Sequence, residues 1–391
     1  MNVVYIQDQE IDCYKGQFYH SKSEHFFERY LAGLTDNDTL TVYCGIINNL
    51  DEEKIKRYQN VSHPQISFRE IPEFRKLRNI TKIYATVKEA LKDADFCYLR
   101  CGIASSFAGY ICRQKGIPYM AIVNEDVFKN LWNHPNKVFK LFAYPLSWMT
   151  TRMVKNAKYA CYVTQEYLQH RYPCRGEQCG CSDVEYLVLD ETVVGKRMEK
   201  IENIKNSVVL GSLGSVSAKL KGQDTVIRAL AKLKEKGINN YTYELVGAGS
   251  PERLTNLANT LGVSDRVIFK GEFSHDDVLD WFNGIDIYVH PSHSEGLPRT
   301  ILEAMTMAVP CICTKVGGVP ELIDEDCLFE YNGNEVSDLS QLIVGMTAEK
   351  MKIEAVNNFE KSKQYNPEIL EKRRRTFFEG AINTTRKFIT R

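Results

Sequence analysis

Two glutamates eight positions apart, Glu295 and Glu303, enclose the segment Gly296-Leu297-Pro298-Arg299, and this stretch is the densest in chemistry of the whole chain. Ahead of it, Ile285 to His290 reads as a short buried strand, and His290-Pro291-Ser292 turns the chain out at the strand's carboxyl end. Pro298 suits a first helical position, and Ile301, Leu302, Met305 and Ala308 then recur on one helical face. A helix start beside a strand end leaves unpaired N–H groups and the positive end of a dipole facing outward, which is a seat for an anion. Arg299 adds a mobile positive charge, so a phosphate is the expected guest. The two carboxylates would straddle it. If every step between them were helical they would lie about 12 Å apart along the axis, roughly the reach from one sugar to the other across a diphosphate. After Pro310, a strand at Cys311 to Thr314 leads into Gly317-Gly318-Val319-Pro320-Glu321, a second turn able to face an anion.

The segment SEGLPRTILEAMTMAVPCICTKVGGVPELI is similar to the donor-binding signature of the glycosyltransferase family 4 enzymes, retaining transferases that use nucleotide sugars. It matches in the glutamate pair, in the Gly and Pro between them and in the Gly-Gly-x-x-Glu ending. The resemblance runs from about Ser207 to Glu321 and implies an α/β fold of the GT-B type, two Rossmann-like domains facing a central cleft. It also implies that Glu295 acts on hydroxyls of the transferred sugar as the catalytic carboxylate and that Glu303 holds the ribose. Gly296, Leu297, Pro298 and Arg299 would line the donor site. In the family a lysine and an arginine grip the donor diphosphate. Lys221, just before Gly222, matches the lysine, whereas Ser212 stands where the arginine is usual, leaving Lys219 or Arg299 to compensate. Val246-Gly247-Ala248-Gly249 and Lys270-Gly271-Glu272-Phe273 resemble the loops on the nucleobase side, with Phe273 at the end of the second. The family's usual histidine in the first domain is absent, and Asn124-Glu125-Asp126 occupies that region.

On this reading the donor is a nucleoside-diphosphate sugar, no metal or other cofactor is expected, and the acceptor is a glycan or a lipid-linked sugar of the kind used in polysaccharide assembly. A nucleotide-sugar epimerase of the same fold and a non-catalytic sugar-binding relative are the alternatives. The first would consume nucleotide sugar without an acceptor; the second would release no nucleotide.

The elements that must position these groups are legible as alternation. Apolar strands at Val3 to Ile6, Leu40 to Cys44, Ile66 to Phe68, Phe96 to Leu99, Tyr119 to Val123 and Tyr159 to Val163 alternate with helical stretches, which predicts a mostly parallel sheet. Gly16 is expected where the first strand hands over to a helix through Phe26, Phe27, Tyr30 and Leu31, in a loop open to ligand. Strands at Val208 to Leu210, Tyr243 to Val246, Val267 to Phe269, Ile285 to His290 and Cys311 to Thr314 give a second α/β half. The border is placed at Pro173 to Ser182, giving domains at 1–182 and 183–365, with a terminal helix over 366–391 packing back on the first. Its Lys372-Arg373-Arg374-Arg375 run reads as a solvated face.

The 391 residues suffice for two cores, and a formal net charge of zero gives no bulk attraction to nucleic acid, which is not expected as a partner. No stretch of eighteen apolar residues and no leader pattern is present, and most of the twelve cysteines fall within strands and helices, so reduced cytoplasm is the expected setting. Cys174, Cys179 and Cys181 cluster in a loop without paired C-x-x-C spacing and are expected to be unpaired loop thiols rather than metal ligands. In Lys137 to Lys158, aromatic and aliphatic residues alternate with Lys137, Lys140, Arg152, Lys155 and Lys158, and no acidic residue occurs. A buried helix is the preferred reading; the alternative is peripheral docking on the anionic inner face of a membrane.

Overall fold

The computed structural model describes residues 1–20, 26–48, 58–73, 77–134, 136–184, 187, 189–205 and 207–389. The chain divides into two compact units, one of Met1–Trp132, Val138–Glu185 and Leu370–Arg391, the other of Asn133–Lys137 and Tyr186–Ile369.

In the first unit the strands are β1 (Asn2–Tyr14), β2 (Gln17–His20), β3 (Thr39–Asn48), β4 (Gln59–Asn60), β5 (Ile66–Glu70), β6 (Phe96–Arg100), β7 (Tyr119–Val123), β8 (Tyr159–Tyr162) and β9 (Glu177–Gly180). Its helices are α1 (Ile80–Ala90), α2 (Ile103–Lys115), α3 (Val127–Trp132), α4 (Val138–Lys155), α5 (Tyr167–Arg171) and, from the end of the chain, Pro367–Ile389. Parallel strands run in the order β5-β3-β1-β6-β7-β8-β9, so the order reverses between β1 and β6, where doubly wound sheets open a crevice. All six strands expected from alternation are present.

The differences lie where tertiary contacts overrule local pattern. The first strand does not stop at Ile6: it continues to Tyr14 and folds back through a hairpin onto β2. Gly16 is therefore the exposed tip of that hairpin (φ 79°) and not a strand-to-helix loop. The helix expected through Phe26 to Leu31 is a single 3-10 turn at Glu28–Leu31; its aromatics are held by packing, with Tyr30 stacked 4.3 Å from Tyr5. Glu177–Gly180, expected as loop, pairs in register with β8. Cys179 thus lies beside Cys161 in the sheet, Cys174 and Cys181 are buried, and all three thiols are free.

The terminal helix packs Phe378 against Tyr30 and Tyr98 of this unit. Arg374 within it is 3% exposed and donates to the Ser182 carbonyl, so the basic run is not wholly solvated. Between β1 and β6, Asp8 caps α2 by accepting from the N–H groups of Ile103 and Ala104, and burial pushes its carboxyl up to about 6 against those two bonds. Asp126, in the region that lacks the histidine, is wholly occupied by structure. It accepts from the N–H groups of Phe128 and Lys129 and from the hydroxyls of Tyr167 and Tyr172.

The second unit has strands β10 (Val208–Leu213), β11 (Tyr241–Val246), β12 (Val267–Gly271), β13 (Ile287–His290), β14 (Cys311–Thr314) and β15 (Leu328–Phe329). Its helices are α6 (Thr192–Glu202), α7 (Gln223–Glu235), α8 (Glu252–Thr260), α9 (His275–Gly284), α10 (Arg299–Thr306), α11 (Glu335–Gly345) and α12 (Ala348–Ser362), which makes the terminal helix α13. All strand pairs are parallel, in the order β12-β11-β10-β13-β14-β15. This is the 3-2-1-4-5-6 order of doubly wound, Rossmann-like sheets, with its switch point between β10 and β13.

Candidate functional site

The loops that follow β10, β11, β12, β13 and β14 all leave the same edge of the second sheet, and two glycines let them touch. A Cβ on Gly247 (φ 150°) would lie 2.1 Å from the Gly214 carbonyl oxygen, and the Gly214 and Val216 N–H groups donate to Val246 and Ala248. A Cβ on Gly317 (φ 58°) would lie 2.0 Å from the Glu295 carbonyl oxygen, while the Gly318 N–H donates to Gly296 at 2.7 Å. Close backbone approach at both places leaves no room for any other residue. On the α7 side, His293 donates its N–H to the Leu220 carbonyl, and Gln223 donates its side-chain amide to Gly214. Lys221 is thereby fastened next to the chain leaving β13.

At the centre lies a charged cluster. Lys221 Nζ is 2.8 Å from Glu295 Oε1, and His290 Nε2 is 3.1 Å from the same oxygen. Burial opposes ionisation of Glu295, but the His290 hydrogen bond and charge and the Lys221 ammonium outweigh it and hold the carboxyl well below the usual range. Glu303 is the opposite case. Its carboxylate makes no ion pair or hydrogen bond with the described residues; burial raises its carboxyl, only partly offset by His275 and Arg299. One carboxylate is thus fixed and charged, and the other has no hydrogen-bond partner among the described residues.

Helix α10 begins at Arg299, one residue later than expected, with Pro298 as its extended cap and no side chain capping its first turn. Its leading N–H groups remain open to an anion, and Arg299 is exposed beside them. Gly296 and Leu297 line the approach and are half-buried, as is Phe273 in the loop between β12 and α9. Since only the steps from Arg299 to Glu303 are helical, loop geometry sets the spacing of the two glutamates.

Ser212 does not join the site through its side chain. It is 2% exposed, donates its hydroxyl to the Val289 carbonyl at 2.6 Å and accepts from Tyr243 at 2.8 Å. An arginine at this position would carry its charge into the core. The loop position beside Lys221 belongs instead to Gly214 and Ser215, because β10 runs on to Leu213, three residues past its expected end. Lys219 is exposed and makes no ion pair with the described residues. His290 is the residue the sequence reading missed. Its position just before Pro291-Ser292, at a strand end facing the site, was the available signal.

In the first unit α4 departs from the preferred buried reading. Ala143, Ser147, Thr150, Met153 and Val154 are buried, but Val138, Leu141, Tyr144 and Trp148 are 54, 75, 66 and 60% exposed. Among the described residues no helix is long and apolar enough to cross a membrane.

Residues 195–361 match the family model described as glycosyl transferases group 1. The protein CapJ of Staphylococcus aureus is 28% identical over 351 residues, covering 88% of this chain and 85% of that protein. Among solved structures, Anabaena HepE in complex with UDP-glucose aligns with a TM-score of 0.60 at 17% identity, covering 96% of this chain and 98% of that one. WaaG, a glycosyltransferase involved in lipopolysaccharide biosynthesis, aligns with a TM-score of 0.60 at 17% identity, covering 95% and 97%. At such identities these structures speak to the fold, which is GT-B.

Proposed function

We propose, from the premise that residues 195–361 make this GT-B chain a glycosyltransferase of group 1, that it transfers a hexosyl group from a nucleoside-diphosphate sugar to a glycan or lipid-linked acceptor with retention of anomeric configuration. The observation that carries this reading is the cluster at the switch point of the second unit. Lys221, an open helix start and two glutamates of opposite character are gathered there by glycine-permitted loop contacts.

A donor diphosphate would take the N–H groups of α10, with Lys221 and Arg299 as cations. These groups stabilise the charge that grows on the leaving phosphate, and they do so best with water kept out. Glu303, without a hydrogen-bond partner among the described residues, would accept from the ribose hydroxyls, and Glu295 from hydroxyls of the transferred sugar. No step in this scheme calls for a metal. HepE in complex with UDP-glucose makes UDP-sugars the first donors to test.

The acceptor falls to the first unit. Supporting a lipid-linked acceptor and a peripheral position on the cytoplasmic membrane face, α4 exposes Val138, Leu141, Tyr144 and Trp148 in one stripe. Lys140 lies 5.3 Å from the Trp132 ring and Arg152 5.0 Å from the Trp148 ring, and no acidic residue occurs in the helix. Such a face combines apolar area with positive charge, the two attractions an anionic bilayer offers. WaaG's part in lipopolysaccharide biosynthesis supports a surface-polysaccharide setting.

The test is to incubate the protein with a panel of nucleotide sugars, with and without glycan and lipid-linked acceptors. Nucleotide release that requires an acceptor is expected. Conversion of the sugar without an acceptor would make the chain an epimerase, and donor binding without any turnover would make it a sugar-binding relative.

A further inference from the structure

We infer that His290 is a positioning residue that clamps one oxygen of Glu295 so that the other is presented to a ligand; this rests on the reading of Glu295 as the carboxylate facing the donor sugar. Both donors that reach Glu295 reach the same atom, since His290 Nε2 and Lys221 Nζ each bind Oε1. Oε2 receives no hydrogen bond from the described residues. A carboxylate held in this way has one oxygen committed to the protein and one left for hydroxyl groups.

The hydrogen on Nε2 follows from its partner. An ionised Glu295 can only accept, so Nε2 must carry the hydrogen. The ring's other nitrogen, Nδ1, lies 3.2 Å from the Tyr288 hydroxyl. Burial keeps the Tyr288 phenol protonated. Tyr288, His290 and Glu295 thus form one hydrogen-bonded line. Its first two members belong to β13 and are buried, His290 at 3% exposure and Tyr288 at 0%.

Lys221 has a different character. Its side chain is 34% exposed and long, and a diphosphate would draw its ammonium away from Glu295. Glu295 would then keep only the His290 bond. The strand-borne imidazole is the donor that can hold the carboxylate rotamer through binding and reaction, because it has no freedom to follow the ligand.

The test compares His290→Phe, which fills the space without a donor, with His290→Gln, whose amide N–H can reach Oε1. Turnover is followed against pH, UDP affinity by calorimetry, and the ring nitrogens by ¹⁵N NMR. The phenylalanine variant is expected to lose about tenfold or more in kcat with little change in UDP affinity, and the glutamine variant to recover most of that loss. The acid limb of kcat/KM should move to higher pH in the phenylalanine variant, because Glu295 loses a donor that keeps it ionised. In the wild type one imidazole should carry a hydrogen on Nε2, and its shifts should change in Glu295→Ala. Unchanged kcat and acid limb in His290→Phe, or a glutamine variant no better than phenylalanine, would overturn the inference. So would an imidazole indifferent to Glu295. The nitrogen shifts decide it even if no nucleotide sugar is turned over, an outcome that would count against the proposed function alone.

Discussion

Glu295 and Glu303 are the same residue type on the same short stretch, yet their surroundings push them in opposite directions. His290 and Lys221 keep Glu295 charged and fixed; desolvation leaves the Glu303 carboxyl raised, with no hydrogen-bond partner among the described residues. Glu303 is half-buried and its carboxylate accepts no hydrogen bond from the described residues, so donor hydroxyls would displace no protein partner from it. Glu303→Ala is accordingly expected to weaken UDP binding by roughly 1.5–3 kcal/mol, the worth of hydrogen bonds to a charged group, which is about tenfold to a hundredfold in Kd. Calorimetry with UDP checks this. Unaltered affinity would take Glu303 out of the ribose site.

The site's precision comes from the turns between elements, and two glycines carry much of it. Gly317 has a left-handed φ of 58°, and its missing side chain lets the turn after β14 lie against the Glu295 backbone. Gly317→Ala should cost roughly 1–2 kcal/mol for the backbone conformation alone. On the proposed role of Glu295, its displaced loop should also cost about a hundredfold in turnover, the scale of a misplacement of about 1 Å. Gly345→Ala is the matched control, since an added Cβ there meets nothing within 4 Å. Thermal unfolding and kcat measured together separate the two effects. If turnover fell only in proportion to the loss of folded protein, the loop contact would have no functional part.

At the scale of the whole molecule, α4 is the feature that core packing does not explain. Its inner face is buried, while its outer face exposes an aliphatic and aromatic stripe. Beside that stripe lies a groove of about 390 Å³ lined by Tyr84, Phe107, Tyr110, Trp148, Met149 and Met153, with Arg113 and Arg152 at its edge. An exposed apolar patch carrying positive charge marks an interaction surface. The protein is expected to sediment with anionic but not neutral vesicles at low salt, and to be released by high salt. Leu141→Glu combined with Trp148→Glu should abolish sedimentation without lowering Tm, because both positions are more than half exposed. No sedimentation of the wild type at low salt would end the membrane reading.

The sequence by itself determined most of the parallel strands, because each of these is a short apolar run bounded by turn residues, and that pattern is local; Glu177–Gly180 and Leu328–Phe329, which are not such runs, are strands only by pairing. It also pointed to the second unit's site, since Lys221, Glu295, Arg299 and Glu303 sit at strand ends and helix starts whose positions follow from the same runs. What it could not determine was partner choice. Ser212 sits next to a glycine in both readings, and only the register of β10 against β13 turns its hydroxyl to the Val289 carbonyl. Gly16 looks like any turn glycine until β1 is seen to continue to Tyr14 and pair with β2. The α4 pattern of apolar and basic residues suits burial or exposure equally well in one dimension; its outer face is settled by which neighbours cover it. His290 gains its part because β13 and the loop after it bring its ring against a carboxylate that Lys221, 74 positions back in the chain, also binds. Local periodicity fixes elements, and contacts between residues distant in sequence fix what each side chain meets.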